Sequence, residues 1–203
     1  MRADSTQVIV VGGGPAGSAT ACFLAQAGVD VVVLDRARFP RDKPCSEYMS
    51  PEASRLLEAM GALGDVEAAG AARLTGMRVR APGGTVFEGR FAAAHGWRGH
   101  RDHGLALPRR VLDAILLARA RAAGAQVIEG AQVTKLAYNA VTGGQDVTVQ
   151  EDGIERVRSA RVVVGADGLR SVVARRLGLA PRWRYPRRLA LVTHMRGVTG
   201  IGE

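Results

Sequence analysis

Residues 7–11 are a short, unbroken apolar run, rich in β-branched side chains and closed by glycine. That is the pattern of a parallel strand buried on both faces. Residues 15–27 read as a helix, with Pro15 at its start and Gly28 as its stop. Residues 30–35 form a second apolar run, so the start of the chain predicts a βαβ unit. Residues 36–50 are polar, contain Pro40 and Pro44, and read as a loop. Ser50 and Pro51 stand where an N-cap and a first helical residue would, for a helix running to Met60 before Gly61.

Farther along, residues 73–80 and 84–90 predict a hairpin turning at Pro82, Gly83 and Gly84. Residues 91–106 have no clear period and hold His95, His100 and His103. Residues 109–123 form the best amphipathic helix, with Val111, Leu112, Ile115 and Leu116 on one stripe and Gly124 at its end. Strands follow at 126–129 and 132–138, then a solvent-facing hairpin of 145–150 and 154–158, then a separate buried strand at 161–165. A Gly-rich turn leads into a helix from Ser171 to Leu177, and residues 188–195 suggest one more strand.

Composition narrows the class. With 203 residues, 47% hydrophobic and 23% charged, the chain is globular rather than disordered or collagen-like. The uncharged run from Val8 to Ala25 has the length of a signal peptide or membrane helix. Gly12, Gly13, Gly14 and Pro15 break any helix in its middle, so it reads as strand, turn and helix, and no membrane segment is expected. The net charge of +9 comes almost wholly from arginine, since Lys43 and Lys135 are the only lysines. The arginines are scattered and aromatics are only 4%, unlike the clustered, aromatic-laced basic face of a nucleic-acid binder. Two cysteines, Cys22 and Cys45, make no disulfide framework and suit a reducing, cytoplasmic setting. His95, His100, His103 and Asp102 match no standard zinc spacing, and Arg98 and Arg101 among them oppose a cation, so no metal site is expected.

The chemistry begins at Gly12, Gly14 and Gly17, a Gly-x-Gly-x-x-Gly pattern that follows one strand and opens a helix. Gly12 permits the tight turn, Gly14 lets the backbone approach a pyrophosphate, and Gly17 lets helix and strand pack closely. The helix start, with Pro15 and Ala16, offers free N–H groups and a partial positive charge to phosphates. Asp35 ends the second strand 18 residues after Gly17, placed to accept ribose hydroxyls. The fingerprint alone does not separate NAD from FAD. A second motif, Asp167-Gly168 with Arg170 and Ser171, closes the apolar strand 161–165. Asp167 faces the ligand crevice or caps the following helix; both readings stand. Cys45 meets a ligand in a cationic, partly exposed loop or is a packed structural thiol, whereas Cys22 belongs to the core. Arg182, Arg184, Arg187 and Arg188, with Trp183 and Tyr185, form the densest basic patch, a solvated linker or a contact for an anion.

Taken together these motifs resemble the FAD-dependent oxidoreductases of the aromatic-hydroxylase superfamily, especially the geranylgeranyl-reductase-like and halogenase-like branches. Gly12, Gly14, Pro15, Ala16 and Gly17 correspond to the FAD fingerprint, and Asp35-Arg36 to the ribose-binding acidic residue and its basic neighbour. Arg109 to Asp113 looks like the Arg-x-x-aromatic-Asp helix start whose Arg contacts the cofactor, with Leu112 in place of the aromatic. Asp167-Gly168 matches the Asp-Gly motif tied to FAD and NAD(P)H, its trailing Arg displaced to Arg175. Lys43-Pro44-Cys45-Ser46-Glu47 resembles the Lys-Pro-Cys-Gly-Glu loop beside the flavin ring, with Ser46 for Gly. The resemblance also puts Val133 among the cofactor contacts and makes Cys45 a candidate catalytic group.

The resemblance implies an α/β, Rossmann-like FAD-binding domain from residues 1–70 and 99–180. Residues 71–98 and 181–203 would belong to an inserted, incomplete β-rich substrate domain. It implies an enzyme using FAD, reduced by NADH or NADPH, that hydroxylates a small aromatic, polyketide-like or isoprenoid compound or reduces its alkene. A halogenase is an alternative weakened by the lack of a Trp-x-Trp-x-x-Pro motif around Trp97 or Trp183. The family's later Gly-Asp motif is missing, and Gly202-Glu203 is not it. The chain therefore reads as the N-terminal portion of a longer flavoprotein, or alternatively as an FAD-binding fragment without turnover.

Overall fold

The computed structural model describes residues 5–91, 96, 98–179 and 191–199. In chain order, β1 (Ser5–Val11), α1 (Pro15–Gln26) and β2 (Val31–Asp35) form the expected βαβ unit. A long loop leads to β3 (Tyr48–Met49), followed by α2 (Ala53–Ala59) and α3 (Leu63–Ala68). Next come β4 (Ala72–Leu74), the hairpin β5 (Gly76–Arg80) and β6 (Val86–Arg90), and β7 (Gly104–Ala106). Then α4 (Arg109–Ala122) precedes β8 (Gln126–Glu129), β9 (Ala131–Asn139), β10 (Gly144–Glu151) and β11 (Ile154–Gly165). A single 3-10 turn, Gly168–Arg170, enters the short α5 (Val172–Arg176).

The main sheet has the order β8-β2-β1-β11-β10-β9. Its first four strands are parallel, and β10 and β9 extend it antiparallel. The alternation of side chains along a strand divides the apolar runs between two cores. Val8 and Val10 of β1 and Val31 and Val33 of β2 face α1 and α4, meeting Cys22, Leu112, Leu116 and Leu117. Ile9 and Val11, with Val32 and Leu34, face the other way and meet Val133, Val147, Val149 and Val173. This is why Val8–Val11 and Val31–Leu34 are apolar at every position rather than at every second one. Each such fully buried Val or Leu contributes roughly 1.5–3 kcal/mol.

Several boundaries differ from expectation for physical reasons. Residues 154–158 and 161–165 are one strand, β11, whose first half pairs with β10 and whose second half pairs with β1. Between the two expected segments, the Ser159 hydroxyl donates to Asp146 Oδ1 at 2.6 Å and Ser159 pairs on both sides, so the strand is continuous. The stripe on α4 is Leu112, Asp113, Leu116, Leu117 and Ala120, rotated so that Val111 is 38% exposed. The helix expected to reach Met60 ends at Ala59, and after Gly61, at φ +72°, a second helix follows, α3, that the pattern missed. Residues 104–106, given no element, are the middle strand of a three-stranded sheet, β3-β7-β4. The hairpin β5–β6 is a separate two-stranded sheet, exposed along most of both strands. Of the strand expected at 188–195, residues 191–195 are not a strand and the rest lies outside the described residues. His95, Trp97 and the arginines of the 182–188 patch, with Trp183 and Tyr185, also lie outside them.

Candidate cofactor site

β1, β2 and β11 run parallel, so the loops leaving their C-terminal ends gather on one edge of the sheet, where open α/β folds take ligands. The turn after β1 is tightly specified. Gly12 has φ +105°, and a Cβ there would stand 2.4 Å from the carbonyl oxygen of Ala166. A Cβ on Gly17 would stand 1.8 Å from the carbonyl oxygen of Gly12. These two glycines are fixed by the fold itself. Gly14 is different: a Cβ there would meet nothing nearer than Arg41 Nη2 at 3.7 Å and Arg109 Nη2 at 3.8 Å. Gly14 caps α1 with no side-chain acceptor and Pro15 follows it, so the first-turn N–H groups have no side-chain cap and look onto that space.

Asp35 ends β2 and is buried. Its Oδ2 accepts from Gly13 N at 2.6 Å and its Oδ1 from Ala37 N at 2.7 Å. The carboxylate thus ties the glycine turn to the loop after β2, and each oxygen keeps a lone pair for a further donor. Arg36 beside it is exposed.

Two guanidiniums converge on Asp113, which is 0% exposed. Arg109, one turn earlier on α4, donates through Nε at 2.6 Å to Oδ1 and through Nη2 at 2.8 Å to Oδ2. Arg41 Nη2 lies 3.2 Å from the same Oδ2. The Arg41 guanidinium also sits 4.7 Å from the centroid of the Phe39 ring. Its Nη1 is buried and has no hydrogen-bond partner among the described residues. Sequence reasoning singled out neither Arg41 nor the role of Asp113. The signal for Asp113 was its spacing four residues after Arg109, one helical turn on, although the predicted apolar stripe left Asp113 out. Arg41 gave none, because its partner lies 72 positions away.

Cys45 is half-buried on the same loop. The N–H of Glu47 and, behind it, the Arg109 guanidinium hold its thiol below the ordinary range against the opposing effect of burial. Asp113 in turn pushes Arg109 up, so its charge is secure. Glu47 adopts φ +62°, a left-handed conformation rare for a residue with a side chain. Its Oε1 accepts from Arg109 N at 3.2 Å, and His194 Nε2 lies 2.9 Å from its Oε2. Lys43, Pro44 and Ser46 are exposed.

Asp167 takes the helix-start role of the two readings. Its Oδ2 accepts from Val172 N at 2.5 Å, which holds the start of α5, while its Oδ1 is buried without a partner among the described residues. Ser171 supplies the cap, accepting from Ala174 N at 2.9 Å. Gly168 follows at φ +77°. Val133 lies in the second core with its side chain 5% exposed, paired to Val149 in the sheet. Cys22 is in the first core, where burial pushes its thiol up. The histidine loop stands apart from all this. A cavity of about 530 Å³ is lined by Phe91, Arg98, Gly99, His100, Arg101 and their neighbours, none from the glycine turn. His100 Nε2 lies 2.8 Å from Glu58 and His103 Nδ1 2.6 Å from Asp102, so both face carboxylates.

Residues 5–190 match the model of a family described as FAD binding domain. The chain is 37% identical over 182 residues to menaquinone reductase of Mycobacterium tuberculosis, covering 89% of this chain and 41% of that protein. It is likewise 37% identical over 179 residues to digeranylgeranylglycerophospholipid reductase 1 of Methanopyrus kandleri, covering 86% and 43%. Among solved structures it is similar to CmlS, a flavin-dependent halogenase, with a TM-score of 0.76 and 26% identity over 86% of this chain and 31% of that one. The chain thus spans about two-fifths of the curated relatives it matches. The residues present fit an FAD. Gly14 leaves a cradle that a Cβ would occupy, Arg41 Nη1 is an unspent buried donor, and Asp167 Oδ1 is an unspent buried acceptor. With its Rossmann-type parallel sheet, its glycine turn and these matches, the chain belongs to the FAD-binding-domain family of FAD-dependent oxidoreductases, among relatives that include reductases and halogenases.

Proposed function

We propose that this chain holds the FAD of an oxidoreductase acting on a small organic substrate. The observation that carries the reading is the space at Gly14, bounded by the start of α1 and by two arginine side chains. Backbone N–H groups at Ala16 and Gly17 and the Arg109 guanidinium would receive the phosphates. Asp35 would accept ribose hydroxyls with the lone pairs its backbone bonds leave free, and Asp167 Oδ1 and the Gly168 backbone would take donors of the cofactor. The loop of Lys43, Cys45 and Ser46 would border the flavin ring, with Arg36 and Val133 toward the adenosine end. Bound FAD supplies hydride or oxygen-transfer chemistry.

The two reductase relatives favour hydride delivery to an unsaturated, isoprenoid-type substrate over hydroxylation, and NADH or NADPH is the proposed reductant. Cys45, held toward the thiolate, is the candidate for meeting ring or substrate. Residues 71–98 are proposed as the start of an inserted substrate domain, of which the exposed β5–β6 hairpin is part. A reducing, cytoplasmic setting suits two free cysteines, and among the described residues no helix is long and apolar enough to cross a membrane.

Anaerobic addition of NADH or NADPH to the FAD-loaded protein tests the reaction. Bleaching of the flavin band, followed by slow reoxidation in air, supports a reductase, while rapid oxygen consumption supports hydroxylation. A bound flavin that neither nucleotide bleaches removes the NAD(P)H-driven reading.

A further inference from the structure

Arg41 and Arg109 bring two positive charges to the one carboxylate of Asp113, and because Arg109 also has the Cys45 thiol beside it, Arg41 is the less compensated of the two. Asp113 is fully buried, and the two arginine side chains are 19% and 14% exposed. An uncompensated guanidinium in such a place is costly unless an anion joins it. The Asp113 fork is already filled by Arg109 Nε and Nη2, and Arg41 reaches it only at 3.2 Å through Nη2. That leaves Arg41 Nη1 buried and unspent. The two Nη2 atoms also flank a single point, 3.7 and 3.8 Å from where a Cβ of Gly14 would stand, at the positive end of the twelve-residue α1. The Phe39 ring, with its centroid 4.7 Å from the Arg41 guanidinium, adds a cation–π contact that favours its charged form there.

We infer that Arg41 is a second phosphate-binding guanidinium of this site, set beside Arg109 by the shared carboxylate of Asp113, and that it takes the pyrophosphate of the dinucleotide at Gly14. The inference rests on the FAD reading above. Asp113 is then a positioning residue, touching no cofactor but fixing the spacing of the two arginines. A planar fork suits this task better than an ammonium, because two N–H groups can meet two phosphate oxygens at once.

The test is titration of the purified chain and of Arg41→Met with FAD, ADP and adenosine, with circular dichroism as the check on folding. Arg41→Met is expected to weaken FAD and ADP by about 10- to 100-fold, the range for a lost charge-assisted phosphate contact, and to leave adenosine unchanged. Should Arg41→Met fail to fold, Arg41→Lys keeps the charge but not the fork, and a loss of roughly 3- to 10-fold confined to FAD and ADP is expected. Affinity for ADP within twofold of the unaltered chain, or equal losses for ADP and adenosine, overturns the role of Arg41 while leaving the site intact. An unaltered chain that binds no FAD overturns the cofactor reading itself, and the role of Arg41 with it.

Discussion

Asp113 grips the guanidinium of Arg109, one helical turn before it, by two contacts of 2.6 and 2.8 Å, and does so with none of its own surface exposed. A carboxylate buried on the stripe that α4 turns toward the core is held there by cations, not by water. Asp113→Ala removes the carboxylate that Arg41 and Arg109 share. Breaking a buried pair from one side costs about 3–5 kcal/mol, so a drop of that size in unfolding free energy is expected in urea melts. A loss under 1 kcal/mol would mean that the arginines find water or another anion as soon as Asp113 is gone.

Gly17 and Gly14 separate what the fold requires from what the ligand requires. Gly17→Ala drives a Cβ to 1.8 Å from the Gly12 carbonyl oxygen, where backbone cannot yield cheaply. Severe destabilisation, of several kcal/mol, or failure to fold is expected. Gly14→Ala places its Cβ in ordinary contact distance of two arginine tips. It should melt within about 1 kcal/mol of the parent and yet bind FAD much more weakly, since the methyl fills the phosphate cradle. Thermal melts and FAD titrations of the pair check both halves.

Asp35→Asn exchanges one acceptor oxygen for a donor. Gly13 N and Ala37 N each use a different oxygen of the carboxylate, so one of them must then face an NH2 group. A destabilisation of about 1–3 kcal/mol is expected for the lost bond in this buried position, read by denaturant unfolding. FAD affinity should fall as well, because the turn and the ribose acceptor are altered together.

Cys45 has a pH signature. The Glu47 N–H and Arg109 both favour the thiolate, so the pKa is depressed and the thiolate persists to lower pH than in an ordinary thiol. Its alkylation by iodoacetamide should therefore reach half its plateau rate below the ordinary thiol midpoint of about 8.5. Arg109→Gln removes a group that lowers the pKa, and the midpoint should move up. Cys22, raised by burial, should stay unreactive in the folded chain, and Cys22→Ala should leave the profile where it is. A Cys45 midpoint at or above 8.5 would show that burial outweighs its two favourable neighbours.

The parts of the fold legible in the sequence are those set by short-range pattern. Unbroken apolar runs at 7–11 and 30–35, with glycines between, specify β1, α1 and β2 almost to the residue, because both faces of those strands are buried. The long β11 was not legible. Its change of partner from β10 to β1 at Ser159 is a tertiary event, and a polar residue that pairs on both sides imitates a turn. Within the site, the glycines and Asp35 are marked by local spacing, and Arg109 by the resemblance of its helix start to the family's. Arg41 and the coupling of Glu47 to His194 are not, since each depends on partners brought close only by folding. Where sequence offered a choice for Asp167, the structure shows a helix-start acceptor and leaves its Oδ1 buried without a partner among the described residues.

The Gly12–Gly17 turn is the proposed seat of the FAD. Gel filtration of the purified 203-residue chain after incubation with FAD tests it most directly, with ADP as competitor. A yellow protein peak carrying about one FAD per chain is expected, as a single dinucleotide fold requires, with loss of the colour when excess ADP is present. A colourless peak that takes up no FAD, or flavin binding that ADP does not displace, would contradict it.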